Sequence, residues 1–229
     1  MTPALSARPT PAPHRVAAVL FDCDGVVVDS EEMTFDLIAE ELAAHGLPIG
    51  REVVARDYIG GTMADVATRA RAAGATLPAD WVERFYDRLY ALLAQGTPLV
   101  PGIPALLDRL EAAGIPFAIG SNGSAQKMQV TLGQHPGLLA RFRGHVYSGQ
   151  SLGAPKPAPT LYLHAAAQLG VDPAACVVIE DSPTGARAAQ AAGMRCLGYA
   201  AHSPAAPLVA VGAEPFTDMA LVPGLLGLR

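Results

Sequence analysis

The run Val16-Ala17-Ala18-Val19-Leu20-Phe21 ends abruptly in Asp22-Cys23-Asp24-Gly25. An apolar run of this length closed by a turn residue predicts a buried strand. Side chains alternate along a strand, so Asp22 and Asp24 point to one side. Two like charges this close at a buried strand end raise each other's pKa and are costly unless a cation compensates. The rest of the fold must therefore be built around a strand end that concentrates negative charge.

The sequence after this strand is helical for a long stretch. Ser30 followed by Glu31 and Glu32 is a helix start, a capping hydroxyl and then acids in the first turn. Phe35, Ile38 and Leu42 form an apolar face, and Gly46-Leu47-Pro48 stops that helix. Tyr58 to Met63 is a loop in which Thr62 caps a helix reaching Ala73. Trp81, Phe85, Leu89 and Leu92 mark a further amphipathic helix, ended by Gly96-Thr97-Pro98. Nothing between Ser30 and Gly96 has a strand pattern, so this is an all-helical insertion.

From Pro101 onward, helices and strands alternate. Strands are predicted at Ile115 to Ile119, His145 to Tyr147, Cys176 to Ile179 and Met194 to Tyr199, with an edge strand at Glu214 to Phe216. Helices are predicted over Ile103 to Ala113, from Ala125, over Ala158 to Leu169, from Ser182-Pro183, and in the last residues from Met219. Such alternation implies a parallel sheet wrapped on both faces. The expected fold class is α/β, a Rossmann-like parallel sheet core with an inserted all-helical cap. The expected boundaries are a flexible tail at 1–14, a core at 15–29 and 97–229, and the cap at 30–96.

At 229 residues, 51% hydrophobic and 16% charged, the chain suits a full core. A net charge of -5 gives no support to a nucleic-acid surface. No apolar run approaches the ~18 residues of a membrane span. Residues 1–14 lack the charged-then-apolar pattern of a signal peptide. Cys23, Cys176 and Cys196 are an odd set without metal-like spacing and read as reduced, buried thiols. A cytoplasmic monomer is expected, with neither nucleic acid nor membrane as partner.

In parallel α/β sheets, ligands gather at the carboxyl ends of the strands. There the sequence places Asp22 and Asp24, Ser121 and Asn122, Lys156 in a loop, and Glu180 with Asp181. Carboxylate oxygens suit a hard cation such as Mg2+. A hydroxyl and an ammonium suit phosphate oxygens, and a carboxylate can serve as nucleophile. This is the donor set of metal-assisted phosphoryl transfer.

At these positions the chain resembles the haloacid dehalogenase superfamily, in particular phosphatases of the β-phosphoglucomutase-like group. Asp22-Cys23-Asp24-Gly25-Val26 matches the first motif, Ser121-Asn122-Gly123 the second, Lys156-Pro157 the third, and Ile179-Glu180-Asp181-Ser182-Pro183-Thr184-Gly185 the fourth. The resemblance covers roughly residues 15 to 220 and implies roles. Asp22 would attack phosphorus; Asp24 would protonate the leaving oxygen and then deprotonate the hydrolytic water. Ser121, Lys156 and Asn122 would bind the phosphoryl group. Mg2+ would sit on Asp22, the Asp24 backbone carbonyl and Asp181, with Glu180 a direct or water-mediated ligand. The substrate is expected to be a small phosphate monoester. Ser121-Asn122-Gly123 with Lys127-Met128-Gln129, and Ser148-Gly149, is similar to bacterial sugar-phosphate phosphatases, 6-phosphogluconate phosphatases among them.

Other chemistries fit less well. A dehalogenase lacks the second carboxylate that Asp24 supplies. A phosphonatase needs a cap lysine, and no lysine lies between Ser30 and Gly96. A phosphomutase shares the four motifs but carries a basic cap loop, whereas Ile59 to Asp65 has no basic residue; Arg51, Arg56 and Arg69 nearby keep that reading open. A non-catalytic phospho-ligand module would not need Asp24. Singly, each motif residue has a plain structural reading: Ser121 as a helix cap, Lys156 as a surface cation, Glu180 or Asp181 as first-turn acids, Trp81 and Phe85 as cap core. Only their order along the chain sets those readings aside. Cys23 alternates away from the aspartates, which argues against a catalytic thiol there.

Overall fold

The computed structural model describes residues 16–58 and 62–228. The tail expected at 1–14, and Ile59, Gly60 and Gly61 of the cap loop, lie outside the described residues. A single parallel sheet runs in the order β3-β2-β1-β4-β5-β6. Its strands are β1 (Ala18–Phe21), β2 (Phe117–Ser121), β3 (Val146–Ser148), β4 (Cys176–Glu180), β5 (Arg195–Tyr199) and β6 (Glu214–Phe216). Strand order reverses beside β1, which lies between β2 and β4. That reversal opens the crevice where α/β sheets bind ligands.

The period-2 pattern divides the core. Val19, Phe21, Ile119, Val177 and Ile179 face one side, packed with Leu107, Phe142 and Met128. Ala18, Leu20, Ala118, Cys176 and Val178 face the other, which is lined by Ala165, Ala166, Ala186 and Ala189. Small side chains let α8 (Thr160–Leu169) and α9 (Pro183–Ala191) approach the sheet closely. In register, Phe21 lies opposite Ile119 and Ile179, so the strand ends carrying Asp22, Ser121 and Glu180 finish together.

The insertion forms α1 (Glu31–Ala44), α2 (Arg51–Asp57), α3 (Met63–Ala72) and α4 (Trp81–Leu93). These helices enclose their own apolar cluster, with Ile38, Leu42, Trp81, Phe85 and Leu93 at its centre. Each such large side chain, fully buried, contributes about 1.5–3 kcal/mol. The Trp81 indole N–H donates to Glu41 Oε2 at 2.9 Å, and Arg88 pairs with Glu40 and Glu41. The two connections to the sheet run side by side: Asp29 N–H donates to the Pro98 carbonyl at 2.9 Å, and Val28 bridges Leu99 antiparallel.

The remaining long elements are α5 (Ile103–Ala112), α6 (Ala125–Leu132) and α7 (Pro136–Arg141), with short helical turns at 206–209 and 222–225. Several element bounds shift by one or two residues from the sequence reading, and three differences bear on packing. Helices α2 and α7 are additional; each buries one side chain, Val54 or Leu138, too few to make a periodic signal. Strand β2 starts at Phe117 and takes in Ser121, because Val19 pairs with Phe117. In α4 the fourth buried position is Leu93 rather than Leu92.

Candidate active site

The Asp22 carboxylate at the end of β1 accepts a 2.7 Å hydrogen bond from Lys156 Nζ. The same ammonium donates to Glu180 Oε1 at 2.6 Å and stands 4.9 Å from the Tyr162 ring centroid. Burial and the Glu180 and Asp24 charges outweigh Lys156 and push the Asp22 carboxyl up to about 7. Burial works to lower the Lys156 pKa, yet the two carboxylates against it raise it, so Lys156 stays charged.

Glu180 is fully buried at the end of β4. Its Oε1 also accepts from the Tyr162 hydroxyl at 2.7 Å, and its Oε2 accepts from the Ser182 N–H and hydroxyl. Four donors thus surround this carboxylate. Ser182 caps α9 through Gly185 N–H, so helix start and carboxylate are tied together. At Gly185 a Cβ would fall 1.7 Å from Glu180 Oε1, which explains the glycine there.

Asp24 is held differently. Its Oδ1 accepts from the Ser30 hydroxyl at 2.5 Å and pairs with Lys127 Nζ at 2.8 Å. Burial would raise its pKa, but Lys127 and Ser30 pull it below the ordinary carboxylate value. Ser30 occupies the cap position of α1 without a capping hydrogen bond, so the capping role read from the sequence is corrected: its hydroxyl serves Asp24.

Ser121 is buried at the end of β2, and its Oγ accepts from Gly123 N–H at 2.9 Å. Its hydroxyl proton remains available to donate to an anion. Asn122 sends both side-chain groups to the backbone of Lys156, Nδ2 to its carbonyl at 3.1 Å and Oδ1 from its N–H at 2.7 Å. It therefore fastens the Lys156 loop to the end of β2.

Asp22, Glu180 and Asp181 bring carboxylate oxygens within 4.8 Å of one another. Burial and the like charges of Glu31 and Asp22 push Asp181 well above the ordinary range. Gly25, at φ 74°, lets Asp181 Oδ2 come within 2.0 Å of where a Cβ would stand. Lys156 offsets part of the repulsion in this set of hard oxygen donors, and the part that remains, concentrated on Asp181, fits a divalent cation. With four donors already on Glu180, Asp22 and Asp181 are the members of the set open to one.

The structure thus brings all seven residues singled out in the sequence to one crevice. The sequence reading gave no role to Tyr162, took Glu31 only as a first-turn acid, and quoted Lys127 only within the stretch that resembles sugar-phosphate phosphatases. Lys127 carries a positional signal: a cation in the first turn of a helix opposes the macrodipole and needs an anion nearby.

The haloacid dehalogenase-like hydrolase family model matches residues 16–193. The 6-phosphogluconate phosphatase of Escherichia coli K12 is 30% identical over 217 residues, 94% of this chain and 96% of the relative. Hexitol phosphatase B of the same organism is 29% identical, over 81% and 84%. A haloacid dehalogenase-like protein of Agrobacterium tumefaciens superposes with a TM-score of 0.84 at 33% identity, covering 92% of this chain and 97% of that one. A family hydrolase of Deinococcus radiodurans R1, solved with phosphate and sodium bound, superposes at 0.80 with 35% identity, over 93% and 96%. Fold and site together define a hydrolase built on a Rossmann-like sheet with a helical insertion. The chain belongs to the haloacid dehalogenase-like hydrolase family.

Proposed function

We propose that the chain is a Mg2+-dependent phosphatase that hydrolyses a small phosphate monoester, a sugar or sugar-acid phosphate, through an aspartyl-phosphate intermediate. The class, a phosphoric monoester hydrolase, is supported by family membership and by relatives named as phosphatases of 6-phosphogluconate and of hexitol phosphates. The observation that carries the reading is the division of labour between two aspartates two residues apart. Asp22 faces Lys156, whereas Asp24 is held by Ser30 and Lys127.

A carboxylate oxygen of Asp22 forms a bond to phosphorus as the ester P–O bond breaks; the departing alkoxide takes a proton from Asp24, which is ionised at rest and takes up that proton from solvent as substrate binds. Water then attacks phosphorus, Asp24 takes its proton, and the bond to Asp22 breaks to release phosphate. Lys156 Nζ and the Ser121 hydroxyl hold the phosphoryl oxygens throughout. Asn122 and Glu180 position Lys156. Mg2+ held by Asp22, Asp181 and the Asp24 backbone carbonyl would neutralise charge that otherwise repels the nucleophile. Residues 30–96 act as a cap that shields the site from bulk water.

Phosphate release from a panel of sugar, sugar-acid and small-acid phosphates, with Mg2+ and with chelator, tests this. Metal-dependent release from one or a few members is expected. Absence of release across the panel, with turnover of a sugar 1-phosphate in the presence of a bisphosphate instead, would assign a mutase.

A further inference from the structure

A cavity of ≈ 250 Å3 opens beside Asp24 and runs beneath α1 and α3. Its walls include Thr34, Phe35, Tyr58 and Met63 from the insertion, and Asp24 and Lys127 from the sheet side. Asp22 and Lys156, which face the phosphoryl group, do not line it. Asp24 does, and Asp24 is the group assigned to the leaving oxygen. The cavity is therefore where the leaving alcohol lies, and its volume suits a small polyol chain.

Lys127 is the one cation lining this cavity among the described residues. Its side chain is 16% exposed, and its ammonium reaches Asp24 at 2.8 Å. Nothing in the phosphoryl-transfer steps requires a second lysine here, since Lys156 already serves the phosphate. An ammonium beside the leaving-group chamber is a fixed charge available to the substrate's far end.

We propose that Lys127 is a specificity-determining residue that pairs with a carboxylate on the leaving group, so that the preferred substrate is a sugar-acid phosphate; this rests on the phosphatase reading above. The neighbours fix the charge that fits. Glu31 lines the same cavity, and Asp24 is in contact with the lysine. One ammonium against two acids can offset at most a single negative charge, so a dianionic second phosphate fits this end of the cavity worse than a monoanion does. There is no arginine fork lining the cavity among the described residues to grip one.

The test compares 6-phosphogluconate with sorbitol 6-phosphate, which share an acyclic six-carbon chain and differ at carbon 1, carboxylate against alcohol. p-Nitrophenyl phosphate serves as a generic ester. The intact enzyme should favour the acid in kcat/KM by on the order of tenfold to a hundredfold. Lys127→Met should bring that ratio close to one, chiefly through KM for the acid, and Lys127→Arg should restore part of it. Equal losses on both substrates in Lys127→Met would overturn the proposal and leave Lys127 as a support for Asp24. So would an intact enzyme that hydrolyses both without preference. If p-nitrophenyl phosphate is cleaved with Mg2+ but neither six-carbon ester is, the inference falls and the phosphatase reading stands. If no ester is cleaved, both fall.

Discussion

Ser30 and Asp24 are joined by a 2.5 Å hydrogen bond across the junction between β1 and α1. Ser30 is fully buried and stands where a helix cap would be, yet its hydroxyl donates to the carboxylate. Two roles give opposite signatures. A lost cap costs about 1 kcal/mol of stability. A lost positioning contact lowers turnover. Ser30→Ala is expected to reduce kcat by roughly tenfold, the worth of one such hydrogen bond to a charged group, with little change in Tm. A fall in Tm at constant kcat would return Ser30 to the role of cap.

Asp24→Asn keeps the shape, and its amide oxygen can still accept from Ser30 and Lys127, but it removes the charge and the proton carrier. Turnover should fall by about 100-fold to 10,000-fold, the usual contribution of a general acid–base. Binding of Mg2+, measured by calorimetry, should persist, because the metal is assigned the backbone carbonyl of Asp24 and not its side chain. Retained turnover would remove Asp24 from the acid role.

Gly185 sits over the Glu180 carboxylate, where a Cβ would meet Oε1 at 1.7 Å and Cδ at 1.9 Å. A side-chain end normally moves aside, but here Lys156, Tyr162 and Ser182 hold it. Gly185→Ala must displace Glu180 and leave a buried ammonium with one carboxylate. A cost of about 3 kcal/mol is expected, seen as a Tm lower by roughly 6–12 °C, together with loss of activity. Wild-type Tm and activity in Gly185→Ala would show the Glu180 network to be slack.

In the insertion, Glu41 is nearly buried and accepts from the Trp81 indole while pairing with Arg88. Glu41→Ala strands the indole N–H and should cost about 2 kcal/mol. Glu83→Ala on the exposed face of α4 should change stability by less than ~0.5 kcal/mol. Thermal unfolding and hydrogen exchange of α1 and α4 check this; equal effects of the two substitutions would deny the buried network.

Much of this was legible in the chain because the local signals agree with the global fold. Val16 to Phe21 ends in two aspartates, Ser182-Pro183 starts a helix, and Trp81, Phe85 and Leu89 repeat at helical spacing; each is a local pattern with one physical reading. What escaped depends on tertiary distance. Ser30 looks like any cap until Asp24 is seen beside it. Lys127 and Asp24 lie far apart in sequence, and Tyr162 gains meaning only when its hydroxyl meets Glu180. Helix α7 opens with Pro136-Gly137, residues that read as a break, and it is held by tertiary packing of Leu138. Asn122, read from the sequence as a phosphate group's neighbour, also ties its amide to the Lys156 backbone, a pairing across two loops that composition does not encode.

The most direct measurement is rapid acid quench of the Asp24→Asn protein during turnover with Mg2+ and p-nitrophenyl phosphate, whose phenolate leaves without a proton while hydrolysis of the intermediate still needs Asp24, followed by peptide mass spectrometry. A phosphoryl group on the peptide carrying Asp22, removable by hydroxylamine and absent from Asp22→Asn, is the expected result. Product formation without any phosphorylated peptide, and with turnover preserved in Asp22→Asn, would contradict the assignment of Asp22 as nucleophile.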